Sequence, residues 1–302
     1  MICWNPIVRA PGLLLLLSAI GVAQGPTISS APPEPAELVR KAIENEIKAS
    51  KDDQAHFMFR STKTNAKGGS ATKVYIETNE ATAGMVVAYD GKPLTAEQRR
   101  AEEERVERFI KNPDELKKKR KQEQDDAERT MRIVRAIPDA FLFEYSGTET
   151  GRPGIGKAGD PLVALKFRPN PRYEPPSRIE QVLAGMQGVV LLDPAHNRLA
   201  SIDGRLFRDV GFGWGILGHL DKGGHFLVQQ TEIDPEHWSI SRMDLEFTGK
   251  ILLVKNLSIK TTEVFSGFKP VPSDLTFAQA IELLKKEGAV VAENGSESAP
   301  GR

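Results

Sequence analysis

The residue types best suited to metal chemistry gather at His219, Asp221 and His225, where a hairpin would bring two imidazoles and a carboxylate together. Asp221, however, opens Asp-Lys-Gly-Gly, which is turn composition, and the other histidines are scattered. This set is read as strand and turn, with no metal. Asp234-Pro235-Glu236-His237 offers carboxylates and an imidazole for acid–base work, but it too is built like a turn. The Gly-rich stretch GFGWGILG (Gly211 to Gly218) is the nearest thing to a phosphate cradle. A dinucleotide fingerprint must follow a strand and open a helix within a βαβ unit. Strand-like sequence lies on both sides here, so the glycines are assigned to a bulge or bend. No GxSxG elbow is present, and the single cysteine, Cys3, lies in the N-terminal segment. No catalytic residue, cofactor site or metal ligand is assigned, and the chain is expected not to be an enzyme.

Composition narrows the partners. Acidic and basic residues balance at 41 each among 302 residues, so no overall field draws nucleic acid. The run KKKRK (Lys117 to Lys121) is followed by Glu123, Asp125, Asp126 and Glu128, which helical spacing pairs at i,i+4. It is read as a solvated helix face. The N-terminus carries Arg9, an apolar run from Gly12 to Ile20, and Gly21 and Ala23 at the small positions of a cleavage site. The run is too short to span a bilayer, which takes about 20 apolar residues. Residues 1–23 are therefore expected to be an export signal cut near Ala23, leaving a periplasmic or secreted protein without cysteine. Residues 24–35, rich in Pro and Ser, are a flexible lead-in.

Next come the elements that must position any site. From Ala36, Leu38, Val39, Ala42, Ile43 and Ile47 recur at helical spacing. Three antiparallel strands follow, ending at the turn pair Asp90-Gly91. Thr95 and Gln98 form a capping box that opens a helix to about Lys111, and Asn112-Pro113 restarts it to Ile137, where Pro138 is expected to end it. Apolar seams mark the two ends of this insertion (95–138); its middle is so polar that it is expected to project into solvent. Strands return on either side of a Gly- and Pro-rich loop, and Ser177 is expected to cap a short helix. After Thr276 a last helix is expected, then a disordered tail, 288–302.

Between Met186 and Thr262, short apolar runs alternate with turn-length separators, which makes an antiparallel meander. Val189 to Leu192 is apolar on both parities, so that strand is expected to be covered on both faces. In WSISRMDLEF the parity changes between Ile240 and Met243, which a bulge or a crossing strand would produce. Large rings crowd this region. The fold class is α+β: a curved antiparallel sheet forming an incomplete β-barrel, covered by helices, with one long helical insertion. Its concave face is expected to leave an apolar cavity lined by Phe207, Phe212, Trp214, Phe226, Trp238, Ile240, Met243, Leu245 and Phe247.

The order of elements and several motifs resemble the LolA-like periplasmic lipoprotein-carrier superfamily, in an exported branch with a charged insertion. The motifs are GKPLTAEQ (Gly91 to Gln98), RAIPDAFLFEYSG (Arg135 to Gly147), FRPNPRYEPPSR (Phe167 to Arg178), RDVGFGWGILGHLDKG (Arg208 to Gly223) and HWSISRMDLEFTGKILLVK (His237 to Lys255). The likeness covers about residues 36–270, within an expected domain of 36–287. It implies an open barrel plugged by helices around a cavity for acyl chains. The expected function is non-catalytic binding of an acyl chain, a lipoprotein or another apolar ligand. Expected partners are lipid, lipoprotein or an envelope protein, with peripheral membrane association and no nucleic acid. The alternative is an interaction or sensor protein whose core is filled and whose insertion docks a partner.

Overall fold

The computed structural model describes residues 34–52, 54–212, 218–251 and 255–297. The expected signal and nearly all of the lead-in lie outside the described residues. Helix α1 (Pro35–Asp52) buries Val39, Ala42 and Ile43 on one stripe. Strands β1 (His56–Asn65), β2 (Ser70–Ile76), β3 (Ala83–Tyr89) and β4 (Lys92–Pro93) follow as antiparallel neighbours. Asp90 and Gly91 join β3 to β4 with φ of 49° and 72°, the pair of positive angles that a tight hairpin turn needs.

Helix α2 (Ala96–Lys111) opens with the expected capping box. Thr95 Oγ1 accepts from the Gln98 N–H at 3.2 Å, and Gln98 Oε1 accepts from the Thr95 N–H at 2.9 Å. Replacing Thr95 by Ala is expected to cost about 1 kcal/mol in urea unfolding, with Thr95→Ser close to wild type.

Helix α3 (Pro113–Ala140) starts as expected, with the Asn112 side chain accepting from the N–H groups of Asp114 and Glu115. Its end differs. The helix runs through a buried Pro138 to Ala140, because in a last turn proline forfeits few ladder bonds and breaks nothing downstream. Its middle does not project freely either. Most of its residues are exposed, but Glu123 accepts from the Thr82 backbone N–H at 3.1 Å and pairs with Lys119. Leu116 packs in one core cluster, with Val106, Met85 and Ile281; Ile133, Val134 and Ile137 pack in the other, with Val39, Leu165 and Val190. One helix thus lies across both clusters. The basic run forms the expected i,i+4 pairs, Lys119–Glu123 and Lys121–Asp125.

Strands β5 (Phe141–Thr150) and β6 (Pro161–Pro169) precede a 3₁₀ helix (Glu180–Gly185). Ile179 is its cap, and the Ser177 hydroxyl makes no hydrogen bond among the described residues, so Ser177 does not cap it. Then come β7 (Met186–Asp193), β8 (Arg198–Leu206), β9 (Val210–Phe212), β10 (Gly218–Leu220), β11 (His225–Glu232), β12 (Trp238–Ile251) and β13 (Lys255–Val271). Strands β9 and β10 pair with each other as antiparallel neighbours, and residues 213–217 between them, where the bend is expected, lie outside the described residues.

All thirteen strands form one antiparallel sheet in the order β4-β3-β2-β1-β13-β12-β11-β8-β7-β6-β5, with β9 and β10 attached to β12. The end strands β4 and β5 do not pair, so the barrel stays open. Strand β7 is covered on both faces: Val190 and Leu192 enter the main cluster, while Leu191 joins Ile155, Leu162 and Ala200 under the β5–β6 loop.

Helix α4 (Phe277–Glu297) reaches into the segment expected to be a disordered tail. Ala289, Val290, Val291 and Ala292 continue the helical run, and Val291 packs against the cluster around Met85. Gly288 permits this approach, since an added Cβ would meet the Met85 methyl at 2.8 Å. Among the described residues no helix is long and apolar enough to cross a membrane.

Candidate apolar binding cavity

The cavity begins with one extra residue in β12. Gln229 of β11 lies opposite Arg242, and Gln230 lies opposite Ile240, so Ser241 has no partner in the ladder. Its buried hydroxyl donates instead to the carbonyls of Gln229 and Gly154. An inserted residue reverses side-chain parity. Trp238 and Ile240 before the bulge, and Met243 after it, consequently reach the same space. This is the switch that the sequence pattern required.

That space is a cavity of about 960 Å³. Phe226 and Val228 of β11 and Leu199 and Ile202 of β8 continue its sheet wall. Met131, Ile133, Val134 and Ile137 of α3 form the opposite wall, with Leu183 of the 3₁₀ helix. Phe141 at the start of β5 also lines it. From β12 to β5 there are five strand-to-strand steps, about 24 Å in a flat sheet. Strands so far apart reach one cavity because the sheet curls.

Four of the nine expected residues therefore converge: Phe226, Trp238, Ile240 and Met243. Leu245 and Phe247 are half-buried beyond Met243 but do not line the cavity; Phe247 packs on the main core and over Gly224. Phe207 is at the surface, with the Arg208 guanidinium 5.5 Å from its ring. A residue just past the end of β8 no longer obeys the alternation of that strand. Phe212 belongs to β9, with its ring outside the described side chains, and Trp214 lies outside the described residues.

The wall also contains an ion pair. Glu46 of α1 and Arg198 of β8 meet at 3.0 Å, Oε1 to Nε, with their side chains 13% and 11% exposed. Glu46 Oε1 also accepts from the Leu199 N–H at 3.1 Å, and its carboxylate takes a hydrogen bond from Gln230. Burial pushes the Glu46 carboxyl above its usual range, while Arg198 and these donors pull the other way. The Arg198 guanidinium sits 5.6 Å from the Trp238 ring centroid, a cation–π distance. Glu46 and Arg198 were absent from the expected site. The available signal was Glu46 itself, a carboxylate on the same stripe as Ala42 and Ile43.

The histidine sets fall on strands and turns: His219 in β10, His225 in β11 and His237 in the β11–β12 turn. His219 stands 3.1 Å from Asp221, but His225 faces Asp203 at 2.9 Å, so the three do not converge. In the β11–β12 turn, Asp234 Oδ1 accepts from the N–H groups of Glu236 and His237. A group not singled out from sequence, Asp160, Asp193 and His196, brings its ligand atoms within 4.8 Å of one another. Asp193 is fully buried there and accepts from the His196 N–H at 3.0 Å, closing the β7–β8 turn.

Neither a scan against protein-family models nor a search of curated proteins returns a match. Among solved structures, the chain is similar to the crystal structure of a DUF1329 family protein from Desulfovibrio piger at 11% identity, with a TM-score of 0.28, over 81% of this chain and 96% of that one.

Proposed function

We propose that this chain is an exported, non-catalytic carrier or receptor that holds an acyl chain, free or attached to a lipoprotein, between its sheet and helices. The observation that carries the reading is the cavity of about 960 Å³ whose facing walls, β8–β11–β12 and α3, are predominantly apolar. Its size is at the upper end of small-molecule pockets, about 300–1,000 Å³. Burying roughly 300 Å² of ligand hydrocarbon at about 25 cal/mol per Å² gives about 7 kcal/mol before the costs of ordering. The resemblance to LolA-like carriers and the export signal expected at residues 1–23 point the same way. So does the absence of a nucleophile or cofactor motif in the sequence.

The protein purified from an exporting host is extracted with organic solvent and the extract analysed for lipid. Near one acyl lipid per chain is the expected result. Lipid-free protein that still binds an envelope protein, and loses that partner when 95–138 is shortened, would favour the docking alternative instead.

A further inference from the structure

Resting on the acyl-chain reading, the geometry points to a ligand with a carboxylate head, a free fatty acid, held by Arg198. Arg198 is nine-tenths buried and lines the cavity. Its polar contact among the described residues is Glu46, at Nε, and even that nitrogen lacks a well-directed hydrogen bond. The two terminal nitrogens have no protein acceptor among the described residues. Neither is among the buried unpaired atoms, so both stay open to the cavity, where their N–H groups can meet a ligand. A planar carboxylate is the group whose two oxygens match such a fork. Trp238 lies against the guanidinium, and the apolar residues Ile202, Phe226 and Val228 share the same cavity. Head and tail sites are therefore parts of one space.

Glu46 sets the balance of charge. With Glu46 ionised, Arg198 is already neutralised, and a second carboxylate enters against repulsion. With Glu46 uncharged, the guanidinium is left to the ligand. Glu46 thus tunes how strongly the site prefers an acid over a neutral amphiphile of equal length. The other titratable groups lining the cavity, Glu236 and His237, belong to the β11–β12 turn, where Asp234 engages His237.

The test is calorimetric titration of delipidated protein with palmitic acid and with hexadecanol, which share a chain and differ in the head. Wild type is expected to bind the acid about tenfold tighter or more, the scale of one charged hydrogen-bonded contact. Arg198→Gln is expected to erase that preference while leaving hexadecanol within about threefold, and Glu46→Gln to increase it. The Glu46→Gln/Arg198→Gln double variant, which buries no charge, replaces Arg198→Gln if the single variant does not fold. Equal binding of acid and alcohol by wild type would overturn the assignment. An equal loss of both ligands in a folded Arg198 variant would do the same. If neither ligand binds wild type, the acyl-chain reading fails, and this inference with it.

Discussion

A tryptophan at Val134 is expected to abolish acyl-chain binding while leaving the protein at least as stable as wild type. Val134 lies half-buried on α3, facing the cavity. In a close-packed core such an enlargement forces strain of about 1–3 kcal/mol. Here the added ring extends into the cavity, where it can contact the side chains of the facing wall without displacing packed neighbours. Thermal unfolding should therefore shift upward or stay level, by about 1 kcal/mol at most. Affinity for a long-chain ligand should fall by about 100-fold, because the ring takes the volume that the hydrocarbon would fill. Ile240→Trp should act alike from the sheet side. Ile259→Trp, at an exposed position of β13, should change neither property. A destabilised Val134→Trp protein that binds normally would show that the cavity is closed in solution and the ligand elsewhere.

The second large effect concerns the buried pair. Arg198→Met is expected to destabilise the protein strongly at neutral pH and only slightly in mild acid. Without the guanidinium, the buried Glu46 carboxylate retains Leu199 and Gln230 as donors but no countercharge. Its pKa then rises further above the ordinary value of 4.5. A carboxyl whose folded-state pKa exceeds its unfolded one gives the native state the extra proton, so stability falls as pH rises through that interval. Protonation limits the penalty. At about pH 7 the cap is near 3 kcal/mol, and at about pH 5 it is under 1 kcal/mol. Glu46→Gln/Arg198→Met should recover most of the loss at neutral pH. Urea unfolding of both variants at the two pH values decides the matter. A loss of equal size at both would mean that Arg198 matters for its packing and not for its charge.

How much of this was legible in the chain depends on the distance over which each feature is set. Local signals carried through. The Thr95–Gln98 capping box, the Asn112 cap and the Asp90-Gly91 turn each depend on neighbours a few residues away. The parity change between Ile240 and Met243 marked a bulge that the ladder places at Ser241. The double-sided apolar run of β7 likewise announced its two covered faces.

Features set by tertiary contact did not carry through. Pro138 is accommodated by its burial in a last turn, and the polar middle of α3 is fixed by Thr82, neither of which local composition reveals. The extra length of α4 follows from Val291 reaching the Met85 cluster. Of the cavity, the sheet wall was half read, through Phe226, Trp238, Ile240 and Met243. Counting rings also brought in Phe207, because hydrophobicity alone does not say on which side of a strand end a residue falls. The helical wall and the Glu46–Arg198 pair join segments remote in sequence, and only the folded sheet brings them together.

The most direct measurement uses Trp238 as a reporter from inside the cavity. In a Trp4→Phe/Trp214→Phe chain, Trp238 is the sole tryptophan. Titration with a fatty acid brominated in mid-chain should then quench its emission saturably, at one ligand per protein, with an unbrominated acid of the same length reversing the effect. Emission that stays unchanged while the acid demonstrably binds would put the hydrocarbon outside this space and contradict the account.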